Sequence, residues 1–599
     1  MDPRYVPRQW APHERPAFPG SPSTPHHPAL RRLQFAAVGV LVAVTGGLGN
    51  ALVMANLPYL QGHFGAYAWE MQWLPAAFFM TSMSANLVLV KFRQQFGLRV
   101  FTEICLAVYA AIALAHLYVN DLGSAVAVRA AHGLCATALN TLGVFYMIQA
   151  FPAEHRRKAL AIALGLTQLP VPLARLFSTE LLQLGEWRGL YLFELGLAML
   201  ALAGVLAVKL PPSDRYRVFE PLDLATIASF AAGTGCLAVV LAFGPVLWWT
   251  EAAWLGVLLA AAVALLVAAG LVEHHRRNPM LNLRWLASGD LLRLTLSIVL
   301  IRVCLSEHSV GAVALFQQLG LDNAQLQGLS AAVVLGCVCG MAASALTLAP
   351  SNFTQQLIVA VALIATGAFM DAHATSHTRP AQLYLSQFLI GCGSTLFIAP
   401  AMLGGIGKAF AQPRNFIGFI VVFGMAQGLG SLLGSAVLGS LLTLRTRLHA
   451  ARLAEGLGLL DPQVAARLHG YAALHAHDIL DPAGRQLQAL GMLARATRRE
   501  AAVLAYNDLF LCVGVLSLAT LGWLLADLYL RRRCGWRGAP APGQVGQQPA
   551  PGGPGQGAEA QEQGVVGQDR GLPPGGPGQT AQRPPLGPGR VAEVGAGQR

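Results

Sequence analysis

The fold is decided by Val128 to Leu192, which reads VRAAHGLCATALNTLGVFYMIQAFPAEHRRKALAIALGLTQLPVPLARLFSTELLQLGEWRGLYL. Two long apolar segments are joined by the charged loop AEHRRKA (Ala153 to Ala159). Arg129 lies well inside the first segment and Arg175 well inside the second. A cation in hydrocarbon costs from about 3 kcal/mol on insertion scales to more than 10 in simulations, so it faces a bundle interior or a wet path. The pattern predicts two membrane helices built around polar business.

The rest of the chain agrees. Charged residues make up 12% of 599 and hydrophobic ones 54%, where a soluble chain carries about twice that charged fraction. Fourteen apolar segments between residues 33 and 530 have the roughly 20 residues that a span needs. The fifth is placed at 159–183, the sixth at 188–209, the ninth at 291–314, the thirteenth at 415–442 and the fourteenth at 502–530. The fold class is all-α and integral to a membrane.

Basic residues gather in alternate loops. One set carries Lys91, Arg93 and Arg99; Arg156, Arg157 and Lys158; Lys209, Arg215 and Arg217; Arg276, Arg277 and Arg284; and Lys408 and Arg414. Arg31 and Arg32 precede the first span, and Arg531 to Arg533 follow the last. The positive-inside rule puts these loops and both termini in the cytoplasm. The net charge of +12 therefore reads as topology, with no basic platform for nucleic acid. Residues 1–32 and the Gly/Pro/Gln-rich stretch 535–599 read as disordered ends. The outer segment 443–501 reads as two or three short amphipathic helices, with Asp461-Pro462 and Asp481-Pro482 as starts. His469, His475 and His477 there have no carboxylate or Cys framework for a metal. No Walker loop, HExxH or GxSxG motif points to an enzyme.

Buried charges mark the candidate site. Taking 1.5 Å per residue, Arg129 sits roughly 9 Å deep, Arg175 roughly 12 Å and Glu194 roughly 10 Å. Matched depth predicts that Glu194 neutralises Arg175, either as a protonation site or as a static pair locking the fifth and sixth spans. His132 titrates near neutrality or packs through a hydrogen bond. In the ninth span, Arg302 and Glu307 point about 140° apart. Arg302 suits contact with an anionic substrate; Glu307 and His308 lie nearer the outer end, within the site or at the interface.

Several pieces in order resemble one family: NLPYLQGHFG (56–65), MQWLPAAFF (71–79), VRAAHG (128–133), EWRGLYLF (186–193), NPMLNLRWL (278–286), QFLIGCGSTLFIAP (387–400) and EAAVLAYNDLF (500–510). The chain resembles the major facilitator superfamily, in its fourteen-helix drug:proton antiporter branch (EmrB/QacA-like). The resemblance implies a six-helix bundle over 33–210, two inserted helices over 222–273 and a second bundle over 291–530 that includes 443–501. It also implies rocking of the halves about a central cavity. Departures are concentrated at motif positions. Gln94 and Gln95 replace the Asp-Arg pair of the loop that carries Gly97 and Arg99. LPVPLARLFS (169–178) keeps Pro170, adds Pro172, loses the motif's glycines and inserts Arg175. Gly49 stands where the first span has an acid, and Gly133 keeps its motif place.

The resemblance implies a multi-pass transporter of a bacterial inner membrane. Such a protein exports small amphipathic or anionic organic compounds, as drug efflux pumps do, on the proton gradient and without a cofactor. Its partners would be the small-molecule substrate, the lipid bilayer and, in this branch, a periplasmic adaptor protein and an outer-membrane channel. The alternative is a transport-inactive relative serving as sensor or assembly partner.

Overall fold

A computed structural model describes residues 14, 16, 21–215, 218–276, 279–349, 351–409, 415–458, 461–474 and 477–533. The tail 535–599, most of the first twenty residues, and His475 lie outside the described residues. So do Arg277, Arg414 and Asn278.

Among the described residues, thirteen helices are long and apolar enough to cross a membrane, or fourteen with one bent pair counted as a span. The first half contains α1 (Ala29–Ala55), α2 (Trp73–Phe96), α3 (Leu98–His116), α4 (Leu122–Ala150), α5 (Arg156–Leu166) and α6 (Pro170–Ala207). Then come the inserted α7 (Pro221–Leu247) and α8 (Ala253–His275). The second half contains α9 (Gly289–Leu305), α10 (Ala314–Gln318), α11 (Gln327–Thr347), α12 (Phe353–Asp371), α13 (Tyr384–Ala409), α14 (Asn415–Glu455), α15 (Pro462–Leu474) and α16 (Pro482–Arg533). We call the end of the bundle that carries Ala29, Phe96 and Gly289 the near face, and the other end the far face.

Prolines and caps set the breaks. Pro170 has no N–H to continue the helix from Leu166, so α5 stops there and the chain restarts with Pro170 in the first turn of α6. The fifth span, placed at 159–183 from the sequence, is consequently bent by 44° between Ala153–Leu166 and Pro170–Gln183. Gly47 on α1 leaves the space that the Pro170 ring fills. Helical structure then runs on through the sixth span. Gly189 approaches the Leu181 carbonyl too closely for any side chain, so the two stretches of α6 lie against each other. At α4, Asp121 accepts from the Ser124 amide at 2.9 Å and closes a capping box.

The outer segment departs from the sequence expectation. The stretch LLTLRTRLHAARLAE (441–455) contains no breaker, so α14 continues straight to Glu455. Only α15 stands alone. Asp481 accepts from the Gly484 amide at 2.8 Å and starts α16, which runs without interruption to Arg533.

In the first half, α1 packs on α4 and α6, α2 on α4, and α3 on α6. In the second, α13 packs on α11 and α12, α16 on α12 and α14, and α9 on α14. The halves meet where α5 touches α11 and α13, and where α2 touches α14. The glycines of α14 serve both contacts. Gly424 and Gly428 leave room for Asn86 and Met83 of α2, and Gly430 and Gly434 receive Arg302 and Ser306 of α9. Such small residues let helices approach closely. The inserted α7 lies on both α2 and α14.

Candidate functional site

Between the halves lies a cavity of about 490 Å³. Its far end is formed by Asn50, Gln168, Pro172, Arg302 and His308, and its near end by Arg93, Phe145, Leu160, Met402 and Ile406. The walls are mostly apolar and aromatic, with amides and hydroxyls set among them. Ligand sites are built this way: hydrophobic surface for binding, a few polar groups for orientation. Arg302 is half-buried, and its Nη1 donates to Gln168 Oε1 at 3.0 Å across the halves. Its Nε finds no partner, nor do Asn140 Oδ1, Gln427 Nε2 and His308 Nε2 in the same lining.

Hydrogen bonds between the halves close the far side. Arg175 Nη1 donates to Asn323 Oδ1 at 3.1 Å, and Asn323 Nδ2 donates to Ala55 O at 2.9 Å and to Asn56 Oδ1 at 3.2 Å. Glu180 accepts from Gln327 at 2.8 Å beside them. Arg175 therefore belongs to this closure, and the pairing with Glu194 expected from matched depth is not formed. The bend at Pro170 turns Arg175 toward the second half, whereas Glu194 faces α1 and α4.

Glu194 has other company. Its Oε1 accepts from Tyr109 Oη at 2.9 Å and lies 3.1 Å from His132 Nε2, in contact although not aligned as a hydrogen bond. Arg129 donates from Nη1 to His132 Nδ1 at 2.9 Å and from Nη2 to Asn50 Oδ1. The Arg129 guanidinium also sits 5.1 Å over the Phe78 ring. A hydrogen accepted at Nδ1 leaves His132 neutral, with its proton on Nε2 toward Glu194. Arg129, His132 and Glu194 are all at most 2% exposed. Gly49 is what makes room: a Cβ there would run into the Glu194 carboxylate. The acid missing from α1 is thus replaced in space by one reaching across from α6.

The second half holds a different centre. Gln387 Nε2 donates to Asp371 Oδ2 at 2.8 Å and lies 3.1 and 3.2 Å from the two oxygens of Glu307. Gln387 Oε1 accepts from His308 Nδ1 at 2.7 Å. Glu307 is fully buried and Asp371, the last residue of α12, nearly so. A π-helical segment, His308–Val313, follows Glu307 directly; such wide turns mark functional sites in many helices. It turns His308 to the cavity while Glu307 points away from it.

The motif residues divide between close packing and an altered near face. Gly133 lies against Phe78 O and Thr81, and Thr81 donates to Ala130 O at 2.6 Å. Gly97 has φ +89°, the left-handed region that glycine adopts freely, and a Cβ there would run into the Arg215 guanidinium. Arg99 is exposed and Pro172 lines the cavity. Lys91, read as a loop residue, is buried against Asp223, which also takes Arg276 Nη1 at 2.8 Å. Arg276 pairs further with Glu220 at 2.7 Å and Glu273 at 2.9 Å. Gln95 Oε1 accepts from the Phe219 amide at 3.1 Å. Where the Asp-Arg pair is lost, the end of α2 is instead tied to the inserted helices.

Sequence reasoning missed Asp371, Gln387, Tyr109, Asn50, Asn323 and Arg93. Asp371 ends an apolar run, and that was its only visible signal. Arg93 was assigned to a loop because α2 outlasts its apolar window.

The sequence matches the family model of the Major Facilitator Superfamily over residues 39–435. No curated protein matches it. The fold is similar to that of the human organic anion transporter MFSD10 (TETRAN), with a TM-score of 0.51 at 13% identity over 82% of this chain and 100% of that one. It is also similar to a bacterial homologue of the human drug peptide transporters PepT1 and PepT2, with a TM-score of 0.50 at 13% identity over 84% of this chain and 99% of that one. Two helical bundles enclosing one cavity, on a sequence that fits the family model over more than half its length, make the chain a member of the major facilitator superfamily.

Proposed function

We propose that this protein is a proton-coupled secondary transporter that exports small amphipathic organic anions by alternating access, as drug-efflux antiporters do. The observation that carries the reading is the cavity between the halves, where Arg302 presents an unpartnered N–H among aromatic and aliphatic walls. No carboxylate lies within ion-pair distance of Arg302 among the described residues. Hydrogen-bonded closure of the far side alone suits one end of a rocking cycle. The similar fold of a human organic anion transporter agrees with such a cargo.

We assign the coupling proton to the Glu307–Asp371 pair. Ionising both would set two like charges in an apolar interior with one amide between them, an arrangement that calls for a shared proton. His308, bonded to the same amide and lining the cavity, links the pair to the substrate path. Glu194 is the other candidate, but Arg129 beside it already balances its charge. Basic residues in alternate loops support a cytoplasmic near face under the positive-inside rule, and we read the membrane as a bacterial inner one. The projecting ends of α14 and α16, with α15, then offer an adaptor protein a periplasmic dock.

The test is flux of 8-anilinonaphthalene-1-sulfonate into proteoliposomes under an imposed pH gradient, measured above protein-free vesicles. Gradient-dependent flux that is lost in Arg302→Gln is the expected result. Binding without flux would favour the transport-inactive sensor, the reading suggested by the altered motifs.

A further inference from the structure

The near end of the cavity carries a second arginine whose burial nothing yet explains. Arg93 sits on α2 three residues before Phe96, the last of that helix, and is 2% exposed. Its Nε and Nη2 have no hydrogen-bond partner, and no carboxylate lies within ion-pair distance among the described residues. Its guanidinium lies over the Phe145 ring, 4.7 Å away. A cation over a ring face is held electrostatically, but the stacked guanidinium keeps its in-plane N–H donors unused. Buried donors call for acceptors. Here the remaining direction is the cavity, whose lining includes Arg93 itself.

Arg302 lies thirteen residues beyond Gly289, the near-face start of α9, or about 20 Å along the helix axis. Arg93 lies only about 5 Å from the near end of α2. The two guanidinium groups are thus offset by about 15 Å along the membrane normal. Between them α4 presents Thr137, Asn140, Thr141 and Val144 on one face, and α2 contributes Asn86. Opposite stand Met402, Ile406 and Phe423. A polar strip facing an apolar wall, with a cation at each end, fits a molecule with an anionic group on a hydrophobic body.

We propose that Arg93 is a second anion-binding station at the near mouth of the cavity. The carboxylate or sulfonate of an amphipathic cargo occupies Arg93 near the mouth and Arg302 deeper in, passing from one to the other as the cargo moves. This rests on the anionic-cargo reading above and extends it to a residue that reading does not need. The planar fork suits either group, donating two parallel hydrogen bonds to its oxygens from one side.

The test uses the purified full-length protein, titrated calorimetrically with 8-anilinonaphthalene-1-sulfonate and with its uncharged counterpart N-phenyl-1-naphthylamine. Arg93→Gln is expected to weaken the sulfonate about tenfold, the loss of one charge-assisted contact, while the uncharged ligand changes less than about twofold. Arg93→Met, which keeps the stem packed on Phe145, carries the same expectation should the glutamine variant fail to fold. Arg93→Lys should fall between, since it keeps the charge and loses the fork. If either neutral variant binds the sulfonate as the wild type does while Arg302→Gln loses it, the second station is overturned and the transport reading stands. A wild-type protein that binds the uncharged ligand but not the sulfonate would overturn the anionic-cargo reading, and this proposal with it.

Discussion

Each half of the molecule buries a polar centre, and the two centres balance their charge differently. In the first, Glu194 accepts from the Tyr109 phenol and touches His132, which in turn accepts from Arg129, so that a cation stands one residue away from the carboxylate. In the second, Glu307 and Asp371 share Gln387, and no cation pairs with either among the described residues. A balanced centre is a rigid one: removing any member leaves a buried charge exposed to a low dielectric. An unbalanced centre must gain or lose a proton to change state. On the proposed reading the first half supplies architecture and the second coupling, whereas sequence alone offered Glu194 either as a protonation site or as one side of a static pair with Arg175.

The contrast is most easily broken at Arg129. Arg129→Met strips the first centre of its cation and should lower stability by about 3 kcal/mol or more, read as a fall in the thermal unfolding midpoint in detergent. A shift of under a degree would mean that Glu194 is not held ionised by this arginine. Next in size comes Glu307→Gln. Gradient-driven flux should drop at least about tenfold, while stability stays within about 1 kcal/mol of wild type because the amide replaces the protonated member of a pair that already holds a single charge. Glu194→Gln should do the reverse, destabilising the fold while leaving flux responsive to pH.

Smaller effects sharpen the geometry. Gly49→Ala pushes a methyl into the Glu194 carboxylate, and overpacking of this kind costs about 1–3 kcal/mol; an unchanged unfolding midpoint would mean that the α1–α6 contact is looser than described. Smallest is Arg175→Ala. Losing one hydrogen bond to Asn323, worth about 1 kcal/mol, should shift the far-side equilibrium roughly fivefold toward opening. Labelling of a cysteine placed at Asn56 would report it, with unchanged labelling as the contrary result.

Much of the fold was legible because hydropathy and helix length are local properties. The bend at Pro170 was half legible: the proline was visible, its angle was not. Depth along a helix also reads from sequence, but azimuth does not, and this is why Glu194 and Arg175 were paired. They share a depth and face different neighbours. The Gly49–Glu194 contact joins residues 145 positions apart in sequence, so the glycine alone looked like a lost acid. Arg93 and Lys91 were hidden for a different reason, since charge near the end of an apolar run reads as loop whether the helix stops or continues. The long α14 was open to view in a stretch without breakers, yet its lower hydropathy drew attention to separate short helices.

The division of labour between the halves is tested most directly by proton counterflow. Vesicles carrying the protein are loaded with 8-anilinonaphthalene-1-sulfonate and pyranine, then diluted so that the sulfonate runs outward. Acidification of the lumen in the wild type and in Glu194→Gln, but not in Glu307→Gln, is the predicted result. Acidification that survives Glu307→Gln and disappears in Glu194→Gln would contradict the account.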